Sequence, residues 1–283
     1  MSQFSLAADS SQITCFETCN RMYFYKHRLN IEPREITHSA FSKGTIIHGL
    51  AERYYNRIYE GWNKALKFAV DSYRENREKL GLGVDNPTFE SLLARFLLYT
   101  SLHTNDLMPL VKDGKPMVEQ GFSIPIVDNK YFLFVLEGRI DLVIKFNGLN
   151  VVVDHKTQNQ KKTFHARTIQ FLNYALALNT NRVMINVIGL QEKFKPEFMF
   201  RNLFYYSPDY LRHWKEQLTS IFYRMANAII QNDFPMNVSA CPGKYSQPCD
   251  YCSLCEEANP NIVSNIIKIK YKEVEPWTPW KEE

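Results

Sequence analysis

Three consecutive valines, Val151-Val152-Val153, run without a polar break into Asp154-His155-Lys156-Thr157. A strand with one face in water alternates apolar and polar residues, whereas one that is apolar at every position needs cover on both faces. This segment therefore belongs at the centre of a sheet with helices on each side. It then stops abruptly in an aspartate and a lysine two residues apart. Successive side chains on a strand alternate, so Asp154 and Lys156 share one face and His155 takes the other. Charged residues often end strands as a plain surface ion pair, and a lone D-x-K says little. One that closes a strand buried on both faces suggests a site.

The neighbouring segments supply the rest of an α/β plan. Segments 117–126, 131–144 and 150–156 are rich in Val, Ile and Phe, separated by Asp128-Asn129 and Asn147-Gly148. Both separators are turn signals, so three consecutive antiparallel strands are expected. Two more strands are expected at 183–190 and 198–206. Helices are expected over 10–29, where Ser10-Ser11 suits an N-cap, and over 39–60, 62–80, 87–108, 164–179 and 208–231. In the second of these, Ile47, Leu50, Ala51, Tyr54, Tyr55 and Ile58 form one apolar stripe at helical spacing. No composition break marks a linker. A single domain over 1–283 is expected, with a helical insertion at 61–110 and a Pro- and Cys-containing loop at 232–260.

Composition excludes several classes. With 45% hydrophobic and 23% charged residues, the chain is neither disordered nor collagen-like. No apolar run reaches the roughly 18–20 residues of a membrane span. The segment MSQFSLAADSS lacks a basic region followed by an apolar stretch, so a cytoplasmic location is expected. Lys and Arg exceed Asp and Glu by 34 to 30, which permits a polyanionic partner without demanding one.

If the second and third of the antiparallel strands pair, Asp141 in Gly138-Arg139-Ile140-Asp141 can meet Asp154. Two carboxylates converging at a sheet end make a hard oxygen site suited to Mg²⁺ or Mn²⁺. Such an ion lowers the pKa of water, neutralises charge on a phosphoryl group and aligns attacking and leaving oxygens. A lysine beside it adds positive charge near the transition state or positions the water.

The six cysteines fall as Cys15 and Cys19 early, and Cys241, Cys249, Cys252 and Cys255 late. Without an export signal, the late cluster reads as ligation of a metal or cluster rather than a disulfide scaffold. Four local sulfurs make zinc one option.

Together, Gly138-Arg139-Ile140-Asp141, the apolar strand ending Asp154-His155-Lys156-Thr157, and Gln170 with Tyr174 resemble the PD-(D/E)XK nucleases. The resemblance is to the RecB-type nuclease domain with an iron–sulfur cluster, found in CRISPR adaptation and in AddB-like subunits. It extends to His48 in Gly44-Thr45-Ile46-Ile47-His48, to Glu119, and to the early and late cysteines. It implies a restriction-endonuclease-like α/β core and metal-dependent hydrolysis of DNA, by an exonuclease or end-processing enzyme of recombination, repair or replication. His48, Asp141 and Asp154 would ligate the ion, with the backbone carbonyl of His155 completing the set and Lys156 as the catalytic lysine. Gln170 and Tyr174 would support the site and contact DNA, and Glu119 would stand outside the direct ligands. Cys19 in Cys19-Asn20-Arg21-Met22-Tyr23 would join Cys241, Cys249 and Cys255 around a 4Fe–4S cluster. Asn20 stands where the family usually has proline. Cys15 and Cys252 are an extra pair that could compete.

Such a cluster would close a very long loop and act as a staple rather than as the hydrolytic centre. Lys161, Lys162 and Arg167 follow the site and could touch a nucleic-acid backbone, although solvated surface charge is the commoner role of such residues. Expected partners are DNA with a single-stranded end and a helicase or recombination protein, with no membrane. Two other readings stand beside this one. The first is a non-catalytic DNA-end-binding module on the same fold, and the second is a zinc-stabilised interaction protein. A binding module would be free to lose the carboxylates and the lysine, yet all are present.

Overall fold

The computed structural model describes residues 3–34, 39–75, 87–104, 107–158, 167–190, 196–242 and 248–280. In chain order the elements are β1 (Phe4–Ala8), α1 (Ser10–Thr18), α2 (Asn20–Tyr23), β2 (Ile31–Pro33), α3 (Ser39–Arg57), α4 (Trp62–Glu75) and α5 (Pro87–Leu102). Then come β3 (Val111–Lys112), β4 (Lys115–Pro116), β5 (Val118–Asp128), β6 (Phe132–Phe146), β7 (Leu149–Gln158), α6 (Ile169–Ala177), β8 (Arg182–Gly189) and β9 (Phe200–Tyr205). The chain closes with α7 (Pro208–Gln231), α8 (Cys252–Cys255), α9 (Pro260–Lys270) and β10 (Tyr271–Glu273). Parallel and antiparallel pairs together make a mixed central sheet flanked by helices, as expected for a restriction-endonuclease-like core. Two compact units are distinguishable: 1–37 with 123–138 and 212–283, and 38–122 with 139–211.

The second unit carries the valine run. The later half of β6 pairs antiparallel with β7, β7 pairs parallel with β8, and β8 pairs antiparallel with β9. β7 is thus interior, and Val151, Val152 and Val153 are fully buried. Asn147 and Gly148, at φ 50° and 79°, make the tight turn from β6 to β7 that their sequence anticipates. The α3 stripe is buried throughout and packs with Phe89, Leu92, Leu93 and Phe96 of α5 and with Val151 and Val153. The opposite face lies under α6, where Phe171 stacks on Phe204. Thr168 caps α6 by accepting the Phe171 N–H. Residues 159–166, including Lys161 and Lys162, lie outside the described residues, as do 76–86 and 105–106 of the segment expected to be a helical insertion.

In the first unit, β1 runs parallel to the start of β6, Phe4 opposite Phe132 through Ala8 opposite Leu136. Phe222 of α7 stacks on Phe134. The helix expected over 10–29 is broken. Cys19 is extended, with φ −162° and ψ 117°, so α1 ends before it and α2 begins after it. The cap of α1 is not a serine. The carboxylate of Asp9 accepts the Gln12 N–H at 2.8 Å, which leaves the serines inside the first turn. β1, β2, β10 and α9 complete the unit beyond the elements expected from sequence. β2 and β10 pair antiparallel, and Tyr25, Tyr251 and Tyr271 stack in a row beside them.

Candidate active site

The β6–β7 ladder runs from Phe146 opposite Leu149 to Leu142 opposite Val153. Asp141 and Asp154 are therefore the facing pair at the first position beyond it. There the His155 backbone N–H donates to Asp141 Oδ2 at 2.7 Å. The two carboxylates predicted to converge stand together at the end of a buried strand, and the charge of Asp141 helps to raise the pKa of Asp154.

α3 brings His48 to the same place. Its Nδ1 lies 3.5 Å from Asp141 Oδ2 and 4.0 Å from Glu119 Oε1. One ligand atom each from His48, Glu119 and Asp141 falls within a 4.8 Å group. One imidazole nitrogen with carboxylate oxygens is a donor set that fits a hard divalent ion. Glu119 was expected outside the direct ligands, and the structure brings it into this group. Its backbone is left-handed, with φ 50°, although it is not a glycine. Such a conformation costs roughly 1–3 kcal/mol and tends to be kept where function needs it.

Asp154 is fully buried, and burial pushes its carboxyl up to about 6. Its Oδ1 accepts from Lys156 Nζ at 3.0 Å. Its Oδ2 lies 2.9 Å from the same ammonium but receives no well-directed hydrogen bond. A buried carboxylate oxygen left without a directed donor fits a cation ligand. For Lys156, burial pulls the pKa down, but Asp154 and Asp141 outweigh it and hold the amine charged, above its ordinary value.

Gln170 and Tyr174 complete a chain of bonds with one assignment of donors. Lys156 Nζ donates to Gln170 Oε1 at 3.0 Å, Gln170 Nε2 donates to Tyr174 Oη at 2.8 Å, and Tyr174 Oη donates to the Arg139 carbonyl at 2.8 Å. The lysine is thereby tied to β6 two residues before Asp141. Burial pushes the Tyr174 hydroxyl far up, so it stays a donor.

The side chain of His155 takes the opposite face, as strand alternation requires. Its ring stacks on Tyr55, with centroids 5.4 Å apart and planes at 12°, and its Nδ1 meets Asn186 Nδ2 at 2.8 Å. Sequence reasoning gave no role to Asn186, Tyr99 or Arg201, which surround this ring. For Asn186 and Arg201 the signal is cross-strand register, which is invisible until the pairing of β7, β8 and β9 is known, and Tyr99 joins them from α5.

In the first unit, Cys19, Cys241, Cys249, Cys252 and Cys255 line one small cavity with Met22, Met236 and Tyr251. The Cys19 sulfur accepts the Asn237 N–H at 3.3 Å, and the Cys249 N–H donates to the Cys241 carbonyl at 3.0 Å. Cys15 is buried and does not line this cavity. No helix among the described residues is long and apolar enough to cross a membrane.

Comparisons with known proteins bear on the fold and the family. Eighteen solved chains are similar to this one. Among them is a "Putative exonuclease" from Eubacterium rectale, with 10% identity and a TM-score of 0.50, covering 89% of this chain and 87% of its own. At that identity the likeness speaks for fold alone. The crystal structure of SSO0001, at 14% identity, covers 66% of this chain and 74% of its own, but its TM-score of 0.29 carries no argument. No curated protein is significantly similar to the chain. The family model described as the PD-(D/E)XK nuclease superfamily matches residues 10–256, a span that holds every residue of the site just described, and the chain belongs to that superfamily.

Proposed function

We propose that this protein hydrolyses phosphodiester bonds of DNA with Mg²⁺ or Mn²⁺, acting from ends as an exonuclease. The observation that carries the reading is the meeting of His48, Glu119 and Asp141 beside an Asp154 that is fully buried and paired with a charged lysine. His48, Glu119, Asp141 and Asp154 would hold the divalent ion, with the His155 carbonyl as a further oxygen. When bound, that ion supplies a water of lowered pKa and neutralises charge on the phosphoryl group. The protein's own part is electrostatic and positional. Lys156 presents a fixed ammonium to the negative charge that grows on the phosphoryl oxygens. Because two carboxylates keep it protonated, it serves as a charge and a donor rather than as a base. Gln170 and Tyr174 hold that ammonium in one place. Attack from ends follows the family resemblance and agrees with the name of the Eubacterium rectale protein.

The thiols support a second component, a 4Fe–4S cluster on Cys19, Cys241, Cys249 and Cys255. All four line one cavity, and Cys252 is available there as a fifth. Its role would be to staple the start of the chain to its end within the first unit, since hydrolysis needs no electron. A cavity that takes zinc instead would distinguish itself by a colourless protein with bound zinc.

The test is digestion of end-labelled linear and of covalently closed DNA, single- and double-stranded, with Mg²⁺, Mn²⁺ or a chelator. Release of short products from linear DNA, abolished by chelator and absent with closed circles, supports the reading. Binding to DNA ends without cleavage in any metal would favour a non-catalytic module.

A further inference from the structure

Beneath the candidate metal site lies a row of polar side chains in strict cross-strand register. His155 faces Asn186 on β8, and Asn186 faces Arg201 on β9. His155 and Asn186 are buried within an otherwise apolar layer, where an unsatisfied polar group is costly. The chemistry of Arg201 orients the Asn186 amide and, through it, His155. A guanidinium only donates, so Arg201 Nε at 3.2 Å forces Asn186 to present Oδ1 to it. The amide nitrogen of Asn186 must then face the other way, toward Tyr99 Oη and His155 Nδ1, both at 2.8 Å. Tyr99 Oη accepts from Asn186 and from Arg201 and lies 2.8 Å from Tyr55 Oη. His155 Nδ1 is left as an acceptor, and the ring proton sits on Nε2. The same His155, through its backbone N–H, holds the carboxylate of Asp141.

We propose that Arg201 is a positioning residue for the nuclease centre, acting through Asn186 to keep His155 Nδ1 a hydrogen-bond acceptor and so to hold the His155 peptide on Asp141. The hydrogen bonds described for Arg201 run to Asn186 and Tyr99, so its influence on the site passes through the sheet. This inference rests on the reading of His48, Glu119 and Asp141 as the metal site, but its primary readout does not require cleavage. A group bonded directly to a metal ligand, as the His155 N–H is to Asp141, orients it, and its loss weakens metal affinity by about 10- to 100-fold.

The experiment uses the full-length protein labelled with ¹⁵N at histidine, in wild type, Arg201→Met, Arg201→Lys and Asn186→Asp forms. Ring ¹⁵N shifts report which nitrogen of His155 carries the proton, and Mn²⁺ titration gives metal affinity. Wild type is expected to show His155 Nδ1 unprotonated. Asn186→Asp, which offers a carboxylate oxygen where an amide donated, is expected to move the proton to Nδ1. Arg201→Met is expected to leave a mixture of tautomers and to weaken Mn²⁺ by about 10-fold or more, and Arg201→Lys to restore both in part. A protonated Nδ1 in wild type overturns the proposal whether or not any variant folds. So does a folded Arg201→Met protein with unchanged His155 shifts and unchanged Mn²⁺ affinity. Failure of the wild type to cut DNA would count against the nuclease reading alone, since the tautomer is measured without substrate.

Discussion

The side-chain oxygen of Gln170 accepts a hydrogen bond from Lys156 Nζ at 3.0 Å, while Lys156 also grips Asp154. The lysine is thus held between a carboxylate on its own strand and an amide on α6. The amide is in turn fixed by Tyr174 and the Arg139 carbonyl. Two residues spaced one helical turn apart serve as a brace for the ammonium.

Removing that brace should lower activity while leaving the fold intact. Gln170→Ala is expected to reduce DNA cleavage by about 10- to 100-fold, the usual effect of displacing a reacting group by a fraction of its length. Tyr174→Phe should have a smaller effect on rate, and should cost about 1 kcal/mol of stability because the Arg139 carbonyl loses its donor. Initial rates at saturating metal, with urea unfolding alongside, separate the two effects. Equal rates for Gln170→Ala and wild type would remove the positioning role.

Glu119 makes an opposed pair of predictions. Glu119→Gly relieves the left-handed backbone, so stability should rise by about 1 kcal/mol. The same change deletes a carboxylate from the metal group, so Mn²⁺ affinity should fall by about tenfold or more. Glu119→Gln should weaken Mn²⁺ similarly without the gain in stability. Thermal unfolding and Mn²⁺ titration of both variants provide the check, and unchanged affinity would place Glu119 outside the metal ligands.

The two early cysteines should behave differently. Cys19→Ser is expected to abolish iron and sulfide binding in protein purified without oxygen, with loss of brown colour. Cys15→Ser, at a buried position that does not line the cavity, should keep both. Iron and zinc analysis of the two variants decides this, and a Cys15→Ser protein that alone lost iron would reverse the ligand assignment.

Acid should weaken the fold through His27. Its Nε2 is buried without a hydrogen-bond partner among the described residues, and burial lowers its pKa from 6.5 to about 4. Above pH 6.5 the ring is neutral whether folded or unfolded, and the full stability is present. Between 6.5 and about 4 the unfolded chain takes up the proton first, so stability falls as pH falls through that window. His27→Phe should flatten the decline, measured as the urea midpoint at pH 7 and pH 5. An equal decline in the variant would assign the acid sensitivity elsewhere.

Much of the geometry of the candidate site was legible because its parts sit on strongly patterned elements. The unbroken valine run announced an interior strand, and the α3 stripe placed His48 on a buried helix. Strand alternation separated Asp154 and Lys156 from His155, and the structure keeps that division. Other features depend on geometry that no local pattern encodes. Glu119 reaches the candidate metal group through a left-handed backbone, which is not written in its neighbours. The row of His155, Asn186 and Arg201 exists only once three strands are in register. β1 is a five-residue strand whose partner starts at Phe132, far along the chain. The break at Cys19 interrupts a segment whose composition is helical on both sides. α9, by contrast, had readable signals, since Asn259 caps it and Pro260 opens it.

The most direct measurement compares wild type, Asp154→Ala and Lys156→Ala on labelled linear DNA with Mg²⁺ or Mn²⁺. The structure places these side chains 2.9 Å apart at the end of the buried strand. Loss of cleavage in both variants, with unfolding curves preserved, is the predicted result. An Asp154→Ala protein that cuts as fast as wild type would contradict it.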